Sequence, residues 1–339
     1  MSKSCDVAIV GVYGIAGESL MSLLDDHQFP FAKIHLLETE EAAGGRLMLN
    51  GLSQRVEVVE RFDFSQVKVV IFTGDKALAA KWASVAVEAG CVVVDSAGAF
   101  RDADIPLVVA EANPAALKGY SARGIVACPD AQVVQAVIAL KPLLAEAGLE
   151  SVTVATYQSM STLGQEEVEA LALQTGRLLN GQPAERGAFA KQAAFNLIPR
   201  LGGIDEEGNT ADEKQFAEDV RRLLELGDLP VSVTCVMVPV FFGTAQVLQA
   251  RTASAIPIKR LSTLMRKAPG LKLLDKPAEG GYPTPVSDAT GSDQVWVGRL
   301  RLDSRDPNAI NMWIVSDNLR KGVALNSLLV AELLIKDYL

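Results

Sequence analysis

The chain has 339 residues, 49% of them hydrophobic, enough to bury a large core; at roughly 150 residues per domain it suggests two domains. Its 41 acidic residues outnumber 32 basic ones for a net charge of -9, and no Lys/Arg cluster forms a nucleic-acid footprint, so nucleic acid is not an expected partner. No apolar run approaches the ~20 residues needed to cross a bilayer, so no membrane association is expected.

In chain order, residues 1–12 (MSKSCDVAIVGV) pass into a β-like run without a charged leader, a long apolar stretch or a small-residue cleavage site, which predicts a cytoplasmic protein. Short Val/Ile-rich runs at 6–10, 34–37, 67–72 and 91–94 alternate with helical patterns near 16–24 and 76–88, and further short strands follow at 107–109 and 124–127. That alternation predicts βαβ units, a parallel sheet and a doubly wound, Rossmann-like domain. A helix at 133–147 then leads into long strands at 151–158, 231–240, 245–251, 294–302 and 311–315, interrupted by polar loops at 203–212 and 277–293. This predicts an α+β domain with a large mixed sheet. Residues 318–339 read as one amphipathic helix returning to the first domain. The expected division is 1–130 plus 318–339 against 131–317, an α/β fold in two parts.

Gly11, Gly14 and Gly17 follow the first strand and open the first helix, the setting of a dinucleotide-binding turn. The spacing also fits a tight strand-to-helix turn with no ligand, and both readings stand. Glu38 ends the second strand with Glu41 three residues on. An acid there would accept hydrogen bonds from an adenosine ribose, favouring NAD over NADP. A 2′-phosphate at about 4 Å from one carboxylate would meet repulsion on the order of 4 kcal/mol at an effective dielectric near 20. Two solvated loop acids are the alternative reading.

Cys5, Cys91, Cys128 and Cys235 lack CxxC spacing, which argues against disulfides and a zinc site and for reduced thiols with no metal. The two histidines, His27 and His35, both lie in the first 35 residues.

Several ungapped stretches carry a family likeness: GVYGIAG at 11–17, AGAFR at 97–101, YQ at 157–158, AFNLIPR at 194–200, GYPTPVSDA at 281–289, VGRLR at 297–301 and VSDNLRKGVALN at 315–326. By these the chain resembles the aspartate-β-semialdehyde dehydrogenase family. The resemblance implies a dinucleotide-binding domain, a dimerisation and catalytic-type domain, a homodimer, and a reaction in which a cysteine forms a thioester, a histidine moves protons and NADPH carries hydride. In the matching segments, however, Ala131 stands at the nucleophile position, Asp130 at that of the preceding asparagine, Met237 at that of the substrate arginine and Thr244 at that of the acid/base histidine. A methyl group cannot attack a carbonyl, and losing a general base costs about 10²–10⁴-fold. His27 and His35 lie far from these segments in sequence, and Cys128 is the nearest thiol. It reads either as a shifted nucleophile or as a small buried residue at a strand end.

By the same resemblance Gln158 matches the glutamine that orients the acyl group, Arg101 and Lys214 match phosphate-holding residues, and Asn318, Gly322 and the turn glycines match the cofactor side. Glu41 and Ala42 replace the arginine and serine that would hold a 2′-phosphate, and Leu163 interrupts a glycine-rich loop. The expectation is a catalytically depleted family member similar to Usg-type paralogues, a dimer with a binding, regulatory or partner role, including pairing as a heterodimer with an active relative. Cofactor binding is expected to be weakened, with NAD favoured over NADP, or lost altogether. The alternative is an NAD-dependent oxidoreductase acting on an altered aldehyde or acyl substrate through Cys128 or without a covalent step.

Overall fold

The computed structural model describes residues 4–339. The chain divides into two compact units: the segment up to Asp130 together with Val323–Leu339, and Ala131–Gly322.

The first unit is built on β1 (Cys5–Val10), α1 (Gly14–Asp26), β2 (Phe31–Glu38), β3 (Arg46–Leu49), β4 (Leu52–Val58), β5 (Val69–Phe72), α2 (Lys76–Glu88), β6 (Val92–Asp95) and β7 (Ile125–Ala127). The strands form one sheet in the order β3-β4-β2-β1-β5-β6-β7, parallel throughout except for the β3/β4 hairpin. The expected alternation of strand and helix is what yields this sheet. Its central strands are apolar without interruption because helices or loops cover both faces: β5 (VVIF) is buried at every position. The strand order reverses beside β1, so the carboxyl ends of β1 and β5 flank a switch point. The hairpin at 46–58 was absent from the sequence reading, and residues 107–109 contribute only a parallel bridge from Leu107 to Ala127.

The second unit contains α3 (Ala131–Ala147), β8 (Ser151–Gln158), α4 (Gln165–Leu179), α5 (Ala211–Leu224), β9 (Val231–Met237), β10 (Thr244–Arg251), α6 (Ile258–Lys267), β11 (Leu271–Leu273), β12 (Val295–Leu302) and β13 (Ala309–Ser316). The six strands form a mixed sheet in the order β11-β12-β13-β10-β8-β9. Alternation sorts their faces: Val152, Val154, Leu248, Ala250, Ile310, Met312 and Ile314 are buried. Ala155, Tyr157, Val247 and Trp313 line the other, partly open face.

Three helices, α4, α5 and α6, escaped the sequence reading. The signal for α5 was present: Thr210 and Glu213 make a reciprocal capping box. The strand expected over 231–240 stops at Met237, because Pro239 has no N–H to donate. The helix expected over 318–339 is regular only at Asn326–Asp337; residues Asn318–Leu325 wind as a wider π-type turn, with Gly322 N–H reaching Asp317 O five residues back. Residues 318–322, grouped on sequence with the first domain, lie within the second unit.

Candidate functional site

In the first unit, the glycine-rich turn runs from the end of β1 into α1. Gly11 has φ +91°, and a Cβ there would lie 2.1 Å from the carbonyl oxygen of Thr73; one on Gly17 would meet the Val12 and Gly11 carbonyls within 2.6 Å. Close backbone approach alone requires both glycines. They close the turn at the switch point, where a dinucleotide-type fold lays a pyrophosphate. Glu38 is buried at the end of β2, and its carboxylate accepts hydrogen bonds from the backbone N–H of Tyr13 at 2.9 Å and of Thr39 at 3.4 Å. The acid is thus engaged by the turn itself, not solvated as one sequence reading had it. Glu41 is exposed.

The AGAFR loop is held by Asp95 at the end of β6. Its fully buried carboxylate accepts from Ala97 N–H at 3.0 Å and Phe100 N–H at 2.9 Å. Burial pushes its pKa up, opposed by those hydrogen bonds and by the Arg101 guanidinium. Arg101 in turn lies 3.4 Å from the Asp130 carboxylate. The residue matched to phosphate binding therefore faces a resident anion.

Cys128 follows β7. The thiol is 2% exposed, and its pKa is pushed up to about 12, first by burial and then by the charge of Asp95. At neutral pH the thiol is therefore held in its protonated form, without the thiolate that a nucleophile needs.

In the second unit, Ala131 begins α3 and packs on Gly322, where a Cβ would lie 2.3 Å from that of Ala131. Close packing accounts for Gly322 as a glycine. Thr244 begins β10, opposite Ser316 of β13 and on the face toward α3. Around it lies a layer of buried, neutral groups: Gln135 Nε2 donates to Thr244 O at 3.4 Å, Gln246 Nε2 to Gln132 O at 2.7 Å, and Gln158 Nε2 to Thr156 Oγ1 at 3.2 Å. Thr244 Oγ1, Gln135 Oε1, Gln246 Oε1 and Ser316 Oγ have no hydrogen-bond partner among the described residues. None of these groups titrates near neutral pH, so the layer can hold polar atoms but cannot shuttle protons. Sequence reasoning missed Gln132, Gln135, Gln246 and Ser316, which only strand register brings together.

Asn318 is 2% exposed, and its Oδ1 accepts from Gly243 N–H at 3.0 Å and from the Ser159 and Ser161 hydroxyls at 3.3 Å. It ties down the segments beside Gln158 and Thr244. Met237 is buried in an apolar cluster with Met160, Leu171 and Ile198. Lys214 sits on the exposed side of α5 in an ion pair with Asp205, which raises its pKa. Leu163 is exposed in the loop after β8. Among the described residues no cluster of His, Cys, Asp and Glu could hold a metal, and no helix is long and apolar enough to cross a membrane.

A glycine-rich turn at the reversal point of a parallel sheet, followed in the same chain by a large mixed-sheet unit, defines the class of two-unit α/β proteins with a dinucleotide-type first unit. Family models described as "Semialdehyde dehydrogenase, NAD binding domain" and "Semialdehyde dehydrogenase, dimerisation domain" match residues 6–120 and 140–321. The chain is 40% identical over 339 residues to "Aspartate-semialdehyde dehydrogenase 2" of Vibrio cholerae, covering all of both chains. It is also 40% identical over 336 residues to a "USG-1 protein homolog" of Azotobacter vinelandii, covering 99% of each. The crystal structure of aspartate semialdehyde dehydrogenase II from Vibrio cholerae superposes with a TM-score of 0.95 at 39% identity, covering 99% of this chain and 100% of that one. The chain belongs to the aspartate-semialdehyde dehydrogenase family.

Proposed function

We propose that this protein is a catalytically depleted family member, a dimer kept for binding, regulation or partnership and not for semialdehyde turnover. The observation that carries this reading is the pair Ala131 and Thr244 at the nucleophile and acid/base positions, in a chain whose two histidines are residues 27 and 35. The neutral layer around Thr244 offers no replacement base, and the thiol of Cys128 is buried and protonated, which weighs against the alternative of a shifted covalent route. Overall identity does not discriminate, since a relative named as the dehydrogenase and one named as a USG-1 homologue both stand at 40%.

On the cofactor side, Glu38 and Glu41 support NAD over NADP, and any nucleotide binding is weakened. The dimer follows from the match to the dimerisation domain and from the partly open aromatic face of the second sheet. A heterodimer with an active relative is the further form this proposal allows. The test is a phosphate-dependent reduction of NADP or NAD with aspartate semialdehyde, alongside thermal shifts with each nucleotide. No turnover is expected, and robust turnover overturns the reading. A nucleotide at 100 times its Kd should stabilise by about 2.7 kcal/mol; a larger shift with NADP than with NAD would refute the cofactor assignment.

A further inference from the structure

A regular parallel crossover lays a helix on the sheet, but β2 reaches β4 through the edge strand β3. The register Leu37↔Glu57 puts Lys33, His35, Arg55 and Glu57 on one side of these two strands. The short turns of residues 59–66 lie over that side instead of a helix, and a cleft of about 580 Å³ opens beneath them.

The cleft has an aromatic side chain on one side and exposed cations at its rim. His35 is 5% exposed, its Nδ1 lies 2.8 Å from Glu57 Oε1, and its ring stands 5.0 Å from that of Phe62 at 60°. A carboxylate on Nδ1 fixes the orientation of the buried imidazole at the base of the cleft. Lys33 and Arg55 are exposed and form no ion pair among the described residues, whereas Arg61 pairs with Glu40; the carboxylates of Glu57, on His35, and Asp63, on Ser65 N–H, stay negative in the same lining. Lys33, Arg55 and Arg61 outnumber the Glu57 and Asp63 carboxylates in the lining by one, which in a protein of net charge -9 is a local exception to its field.

We propose that this cleft is a binding site for a small aromatic anion. The flat ring of the ligand lies against Phe62, beside the buried imidazole, and its carboxylate or phosphate is held by Lys33 and Arg55. The site is separate from the glycine-rich turn, and the proposal holds whether or not the chain turns over a semialdehyde.

Because the chain has two histidines, its imidazole NMR spectrum reports the cleft directly: His35 lines it, and His27 serves as an internal control. The full-length labelled protein is titrated to millimolar concentrations with phenyl phosphate and with benzoate, and with inorganic phosphate and benzylamine as controls. Saturable movement of the His35 signals with phenyl phosphate or benzoate, leaving His27 unmoved, is expected, and the stronger of the two identifies the preferred anion. Lys33→Glu/Arg55→Glu, both exposed and able to change without disturbing the core, should weaken that affinity about tenfold or more. No saturable response, an equal response to inorganic phosphate or benzylamine, or an affinity unchanged in the charge-reversed protein would overturn the proposal.

Discussion

At position 131 the side chain is a methyl group seated on Gly322, and the hydroxyl at 244 sits among amides and hydroxyls with nothing to titrate. Restoring one group should therefore not restore a reaction. Ala131→Cys is expected to leave phosphate-dependent nucleotide reduction undetectable, because the Thr244 hydroxyl at the matched acid/base position cannot take the thiol proton; activity in the single variant would show that another base reaches the site. The native thiols make a second case. Burial raises the pKa of Cys91 to about 11 and that of Cys128 to about 12, and Cys235 is fully enclosed, whereas Cys5 is only partly buried. A disulfide reagent at pH 8 should modify at most Cys5 quickly and the other three only after denaturation. Rapid native modification of Cys128 would revive it as a nucleophile.

Among the elements, α5 shows how local sequence and tertiary contact share one residue. Glu213 closes the capping box with Thr210 and also accepts the backbone N–H of Cys235 in β9 at 3.0 Å. Thr210→Ala should cost about 1 kcal/mol in a urea unfolding measurement. Burial pushes the Glu213 carboxyl up, but the hydrogen bonds from Thr210 and Cys235 outweigh it and leave the pKa below its ordinary value. Its folded pKa is thus lower than its unfolded pKa of about 4.3, so this contribution is present above that pH and fades as pH falls through the folded value. The stability lost on acidification through that window should be larger in wild type than in Glu213→Gln. An equal loss in both proteins would show that the cap is not coupled to ionisation.

For the whole molecule, the partly open face of the second sheet carries Ala155, Tyr157, Val247 and Trp313, with Tyr157 and Trp313 rings 5.9 Å apart. Val247 lies at its centre, paired with Ala155 on one side and Trp313 on the other. If the proposed dimer forms through this face, Val247→Glu should turn a dimer into a monomer in sedimentation, because each copy would bury an unpaired charge. A variant that remains dimeric would place the interface elsewhere.

Much of this was legible in the residues. The strand and helix alternation before residue 130 and the glycine turn are local patterns, and periodicity and composition report local patterns faithfully. What the tertiary structure alone decided are the relations among distant residues: Tyr13 N–H on Glu38, Asp130 against Arg101, Asn318 tying down the segments around 159–161 and 243, and His35 beside Glu57 and Phe62. The helices α4 and α6 are not among the expected elements although each is amphipathic, α4 burying Leu171 and Gln174 and α6 burying Leu261 and Met265. Strand register and burial assign each polar group its partner, and neither is written in any short stretch of chain.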